Sequence, residues 1–125
     1  AVVRARDLTR DAYLVFIPPD MVSQDITLTS STIGPLKNAS LGGQLAYTAE
    51  QTRVDLDADF APPPEAFVLL HAHASAEFSL GTRTFRSSVE VKNLTNQRYR
   101  SYLSRLRYFA DEPGRSVNLR VKYAF

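Results

Sequence analysis

The stretch from Ser116 to Phe125 alternates almost without fault. Val117, Leu119, Val121, Tyr123 and Phe125 are apolar; Ser116, Asn118, Arg120 and Lys122 on the other parity are polar, and only Ala124 there is not. Successive side chains of a strand point to opposite faces, so a period of two sorts these residues onto one apolar and one polar face. By itself this alternation reads as a strand with one apolar face.

The same pattern recurs upstream. In Phe85 to Leu94, Phe85, Val89 and Val91 oppose Arg86, Ser88, Glu90 and Lys92. Leu70, Ala72, Ala74, Ala76, Phe78 and Leu80 oppose His71, His73, Ser75, Glu77 and Ser79. Leu41, Gly43, Leu45, Tyr47 and Ala49 oppose Ser40, Gly42, Gln44, Thr48 and Glu50. The weakest case is Val22 to Ile33, where Ile26 and Leu28 oppose Asp25, Thr27 and Thr29. Each is about the length of a tilted membrane strand, roughly 9–11 residues. No apolar run approaches the roughly 20 residues of a membrane helix; the longest, Ala66 to Leu70, is far shorter. Backbone groups in lipid must be paired internally, so a membrane reading admits only strands in a closed barrel.

The connections alternate in length. Gly34-Pro35-Leu36-Lys37 and Gly81-Thr82-Arg83-Thr84 are compact turns, with Gly at the permissive position. The others are long: Arg6 to Asp20 holds Pro18-Pro19, Thr52 to Glu65 holds Pro62-Pro63-Pro64, and Asn96 to Arg115 holds Pro113-Gly114. Outer-membrane barrels pair short periplasmic turns with long extracellular loops, and counting through places Phe125 at the periplasmic end. A soluble β-sandwich or barrel alternates too. Two features favour the membrane form: small Ala72, Ala74 and Ala76 beside aromatics at strand ends (Phe78, Tyr123, Phe125), as on a lipid face with girdles, and an opposite face polar in four of the five segments. The expected fold is all-β: an antiparallel meander of about five membrane strands, spanning residues 1–125 and forming the C-terminal part of a large transmembrane β-barrel.

Composition agrees and excludes some alternatives. Apolar residues make up 44% and charged residues 22%, which argues against disorder. A net charge of +2 is too small to imply a nucleic-acid partner. There is no Cys, hence no disulfide and no thiolate metal site. Ala1-Val2-Val3-Arg4 reads as an internal start, with any export signal upstream.

Specific motifs sharpen the expectation. Val91-Lys92-Asn93-Leu94-Thr95-Asn96-Gln97-Arg98-Tyr99, then Tyr102-Leu103, Arg107-Tyr108-Phe109-Ala110, Pro113-Gly114-Arg115 and the strand to Phe125 resemble the C-terminal region of TonB-dependent receptors. There an N-L-x-N-x-x-Y stretch ends the penultimate strand, and a loop leads through P-G-R to an alternating last strand with a terminal Phe. Ile17-Pro18-Pro19-Asp20 is similar to the family's I-P-P-x-R, although Met21-Val22 stand where Arg is usual. The resemblance implies energised uptake of a scarce ligand, commonly an iron–siderophore complex, across the outer membrane of a Gram-negative bacterium. It also implies a barrel of ~22 strands with a plugged lumen; the plug and the TonB-contacting segment lie outside these residues. Implied partners are outer-membrane lipid, the TonB complex through that missing part, the ferric siderophore or a similar small ligand, and the barrel-assembly machinery. Val117, Leu119, Val121, Tyr123 and Phe125 resemble the signal that machinery reads. Another outer-membrane barrel (a porin or adhesin) and a soluble β-sheet binding module are the competing readings.

For ligand contact the best segment is Arg98 to Arg115. Arg98, Arg100, Arg105 and Arg107 with Tyr102 and Tyr108 suit an anionic, partly aromatic chelate, through bidentate pairing and stacking. The competing role for these residues is to anchor the loop, pair with Asp111 and Glu112, or touch lipid phosphates. His71 and His73 share one face and invite a metal, but as a pair they read as polar lumen side chains. Asp55, Asp57 and Asp59 suggest a calcium loop, yet Gly is absent after the third Asp and no acid stands at the twelfth position. Asn93-Leu94-Thr95 and Asn38-Ala39-Ser40 match the glycosylation triplet, which has no meaning in a bacterial chain. No nucleophile–base set, phosphate loop or acid pair appears, so neither an enzyme, nor a cofactor, nor a metal is expected.

Overall fold

The computed structural model describes residues 1–57 and 59–124. It is all-β. Two short strands, β1 (Arg6–Asp7) and β2 (Ala12–Tyr13), form a small hairpin. Five long ones, β3 (Met21–Ile33), β4 (Leu36–Thr48), β5 (Phe67–Leu80), β6 (Arg83–Lys92) and β7 (Ser116–Ala124), form one sheet in the order β3-β4-β5-β6-β7. The expected five-strand antiparallel meander is therefore present. Among the described residues it is an open sheet with β3 and β7 at its edges, not a closed barrel. No helix there is long and apolar enough to cross a membrane.

The connections are tighter, and the long loops more structured, than the sequence suggests. The β3–β4 and β5–β6 turns shrink to Gly34-Pro35 and Gly81-Thr82. Gly34 and Gly81 have φ of 58° and 62° at the first central position, where two-residue hairpins of the II′ kind call for glycine. The β1–β2 hairpin falls inside the expected Arg6 to Asp20 loop. A 3-10 turn, Arg105–Tyr108, falls inside the expected Asn96 to Arg115 loop. Both elements are too short for periodicity to reveal.

Register fixes the two faces of β5, β6 and β7. Ala72 pairs with Val91 and Val91 with Val117; Ala74, Val89 and Leu119 form the next rung, and Phe78, Phe85 and Tyr123 the last apolar one. The intervening rungs are His73, Glu90 and Asn118; Ser75, Ser88 and Arg120; Glu77, Arg86 and Lys122. One face is thus apolar across three strands, save Ser87 between Ala76 and Val121, and the other polar across the same three. The Phe78 and Phe85 rings stack at 5.5 Å and those of Phe85 and Tyr123 lie at 5.2 Å, an aromatic ladder at the third residue pair from the Gly81-Thr82 turn.

Two compact units can be distinguished. One is sheet: Gln24–Leu45, Leu69–Asn96 and Arg115–Phe125. The other gathers Ala1–Ser23, Ala46–Val68 and Gln97–Gly114. In neither is there a conventional hydrophobic core. Among the described residues the buried set is Tyr102 and Pro19 with Thr48, Gln51, Asn93 and Arg107, so two apolar side chains are buried against four polar ones. Leu119 is 73% and Leu28 70% exposed, and Ile26, Leu41, Leu45, Val117 and Val121 are exposed with them.

Candidate functional site

The polar face of the sheet is a connected surface. Ser40 and Ser75 hydroxyls lie 2.8 Å apart, the Asn38 amide donates to Glu77 at 2.7 Å, Arg86 pairs with Glu77, and Asn118 donates to Glu90 at 3.4 Å. Across Gly42 on the strand between them, Thr27 Oγ1 on β3 and His73 Nε2 on β5 meet at 3.2 Å. A Cβ at Gly42 would stand 2.4 Å from the imidazole and 2.7 Å from Thr27 Oγ1, so the missing side chain is what lets β3 and β5 touch. Thr27 in turn donates to Asp25 at 3.1 Å. His71 Nδ1 accepts the Asn93 N–H at 3.2 Å. Both histidines therefore serve polar contacts on the face the sequence assigned them. Among the described residues no group of three or more His, Asp or Glu is placed to hold a metal.

The N-L-x-N motif is a turn with two left-handed corners. Asn93 and Asn96 have φ of 50° and 54°, and the Asn96 N–H donates to the Asn93 carbonyl at 2.8 Å. Asn tolerates this backbone region better than other non-glycine residues. The Leu94 N–H donates to Leu70 O at 2.8 Å, and Asn96 Oδ1 accepts the Arg115 N–H at 2.9 Å. One side chain of the motif thus gathers the start of the last-strand segment.

Beyond it the candidate ligand residues separate into two groups. Arg107, expected as a ligand contact, is only 3% exposed. Its Nη2 donates to Asp59 Oδ1 at 2.6 Å and its Nη1 to the carbonyls of Pro62 at 3.2 Å and Ala61 at 3.4 Å. The guanidinium carbon lies over two rings, 4.4 Å from the Tyr108 centroid and 4.8 Å from that of Tyr102. The Tyr108 hydroxyl donates to Asp59 at 2.7 Å, and buried Tyr102 accepts the Phe16 N–H at 3.4 Å. Arg100 is held by Asp111 at 2.7 Å and by the Arg107 carbonyl at 3.0 Å. Arg107, Tyr102, Tyr108 and Arg100 are thus each engaged with groups of the chain itself. Arg98 and Arg105 are exposed, and Arg100, beside Asp111, is exposed as well.

Electrostatics follow from this packing. Burial pushes the Asp59 carboxyl upward, but hydrogen bonds from Tyr108 and Arg107 outweigh it and hold the group below the usual carboxylate range. Tyr108 is raised, first by its bond to Asp59 and then by burial. Burial raises Tyr102 and Tyr99. At the entry to β3, the Arg4 guanidinium 2.7 Å from Asp20 lowers that carboxyl, with help from Arg53.

Sequence reasoning did not single out Phe60 and missed the role of Asp59. Asp59 belongs to a Pro-rich loop, and its spacing from Asp55 and Asp57 suggested calcium. In the structure Asp55 caps the Asp57 N–H at 3.1 Å while Asp59 faces Arg107. Phe60 is 95% exposed and lies edge-on to Tyr108 at 6.0 Å. Val117, Leu119, Val121 and Tyr123 do share the apolar face of β7; Phe125 lies outside the described residues. Comparison with family models, curated proteins and solved structures found no match for this chain.

Proposed function

We propose that this chain is the C-terminal barrel region of a TonB-dependent outer-membrane receptor, a transporter that takes up a scarce ligand such as a ferric siderophore. The observation that carries the reading is the inverted burial: apolar Ile26, Leu28, Leu41, Leu45, Val117, Leu119 and Val121 exposed on one sheet face, and a bonded polar network on the other. In water an apolar face spanning five strands is a severe liability, whereas a barrel wall between lipid and a wet lumen requires it. Strand length is compatible. The 13 residues of β3 extend about 43 Å at ~3.3 Å each, or about 33 Å of membrane normal at a tilt of ~40°. The Phe78–Phe85–Tyr123 ladder suits an interfacial girdle at the turn end. The motifs from Asn93 to Arg115 narrow the barrel class to this family by resemblance, and no catalysis is proposed.

Cysteines placed one at a time along residues 117–122 of the full-length protein, in outer membranes, test the reading. Positions 117, 119 and 121 should react with a lipid-soluble maleimide and resist a charged, water-soluble one, with 118, 120 and 122 showing the reverse. Reaction of all six with the water-soluble reagent in the purified, detergent-free protein would instead identify a soluble β-sheet module.

A further inference from the structure

The segments 1–20, 49–66 and 97–114 of the second unit are tied by two polar knots. At the first, Gln51 is 1% exposed; its Nε2 donates to Ile17 O at 2.8 Å and its Oε1 accepts the Arg53 N–H at 3.1 Å. Asp20 beside it takes both Arg4 and Arg53, at 2.7 and 3.2 Å. This knot binds segment 1–20 to the start of 49–66. The second is Asp59 and Arg107, each side chain 2% exposed, which binds 49–66 to 97–114. Tyr102, whose ring centroid lies 4.8 Å from the Arg107 guanidinium carbon, closes the circuit: its hydroxyl takes the Phe16 N–H and its ring meets Phe16 at 6.2 Å.

A dry ion pair of this kind is a poor source of net stability but a strong determinant of arrangement. Removing one partner strands the other charge without water, so the pair is either whole or expensive to keep. Arg107 Nε is buried and has no hydrogen-bond partner among the described residues, so the closed state leaves one donor unmet. Little apolar surface is buried around it to hold the segments if the pair opens, Tyr102 and Pro19 being the buried apolar side chains among the described residues. The first knot ties 1–20 to 49–66 and the pair ties 49–66 to 97–114, so the three segments are coupled in series through these two points.

We infer that the Arg107–Asp59 pair is a latch that makes segments 1–20, 49–66 and 97–114 open and close as one body. A contact made at the surface of either long loop then reaches the other through the latch. Phe60 follows Asp59 directly and Phe109 lies two residues beyond Arg107; both are largely exposed, so the latch lies immediately behind the most prominent aromatic side chains of the two loops. The inference concerns the loops alone and does not depend on what the protein transports.

Hydrogen–deuterium exchange on the full-length protein in detergent tests it, following peptides from 5–18, 52–66 and 98–112, with peptides from 70–80 and 83–92 reporting on the sheet. Arg107→Lys keeps the charge but removes the planar fork; Asp59→Asn keeps the shape but removes the charge. Each should raise exchange at least about tenfold in all three segments together while the sheet peptides stay unchanged. Arg105→Ala, an exposed neighbour on the same 3-10 turn, should change none of them. An increase confined to 98–112, or an equal increase from Arg105→Ala, overturns the latch. Should the variants fail to assemble, the wild-type protein decides: under rising denaturant the three segments should share one opening transition, and separate transitions overturn the inference equally.

Discussion

Gly42→Ala is a small change that the geometry makes consequential. The added Cβ would meet the His73 imidazole at 2.4 Å and Thr27 Oγ1 at 2.7 Å, both inside van der Waals contact. His73 presents the far end of a side chain, so it swings aside and the backbone stays. The swing loses the 3.2 Å Thr27–His73 hydrogen bond, a term of about 0.5–1.5 kcal/mol. It also forces an off-rotamer imidazole, for about 0.5–1.5 kcal/mol more. Against these stands the gain of about 0.5–1 kcal/mol from replacing glycine within a strand. The net destabilisation is therefore about 0–2.5 kcal/mol, centred on about 1 kcal/mol. In a His73→Ala background the larger obstacle and the hydrogen bond are both gone, leaving the strand gain and the residual contact with Thr27. The same substitution should there be close to neutral. Denaturant unfolding of the full-length protein, followed by far-UV circular dichroism, gives the four corners of the cycle. A coupling of about 1 kcal/mol or more is expected between positions 42 and 73. Additivity within about 0.3–0.5 kcal/mol would refute the claim that the glycine exists to let β3 and β5 meet.

Two further outcomes follow from the same kind of accounting. Phe85→Ala removes the centre of the Phe78–Phe85–Tyr123 ladder and with it two ring pairs at about 0.5–1.5 kcal/mol each, so a loss of about 1–3 kcal/mol is expected, read from the unfolding midpoint. For the loop unit the pH limits are set by Asp59 and Tyr108. The lowered Asp59 pKa contributes stability present above the ordinary carboxylate value of about 4 and lost as pH falls through the folded value. The raised Tyr108 pKa contributes stability present below the ordinary value of about 10 and lost as pH rises through the folded one. The near-UV dichroism of the aromatic residues should hence hold level between about pH 4 and pH 10 and fall outside it; Asp59→Asn should remove the acid limb.

What the sequence disclosed divides along physical lines. The β7 alternation from Val117 to Tyr123 and the faces of β5 and β6 were legible, because a period of two leaves its mark on every residue. The Gly34 and Gly81 turns were legible because a positive φ needs particular residue types. The Arg107–Asp59 pair was not: its partners are far apart in sequence, and an Arg among tyrosines reads equally well as a ligand contact. Hence Arg98, Arg100, Arg105 and Arg107 looked alike in sequence, and only packing set the buried Arg107 apart from the three exposed ones. The Gly42-Gly43 pair carried a usable signal, since glycine inside a strand marks close approach, but which neighbours approached required the register of three strands.

The odd number of strands in the sheet has a directional consequence. In a meander that reverses at each turn, β3 and β7 run the same way although they lie at opposite edges. Bending the sheet round on itself would set these two side by side in parallel, against the antiparallel order of every other pair. An antiparallel ring built on this sheet must therefore insert an odd number of further strands, so that the total is even. By the same rule, two copies meeting edge to edge in antiparallel fashion, with their apolar faces on the same side, must join β3 to β3 or β7 to β7 about a two-fold axis. Head-to-tail growth of antiparallel pairs would turn the apolar face over at every junction.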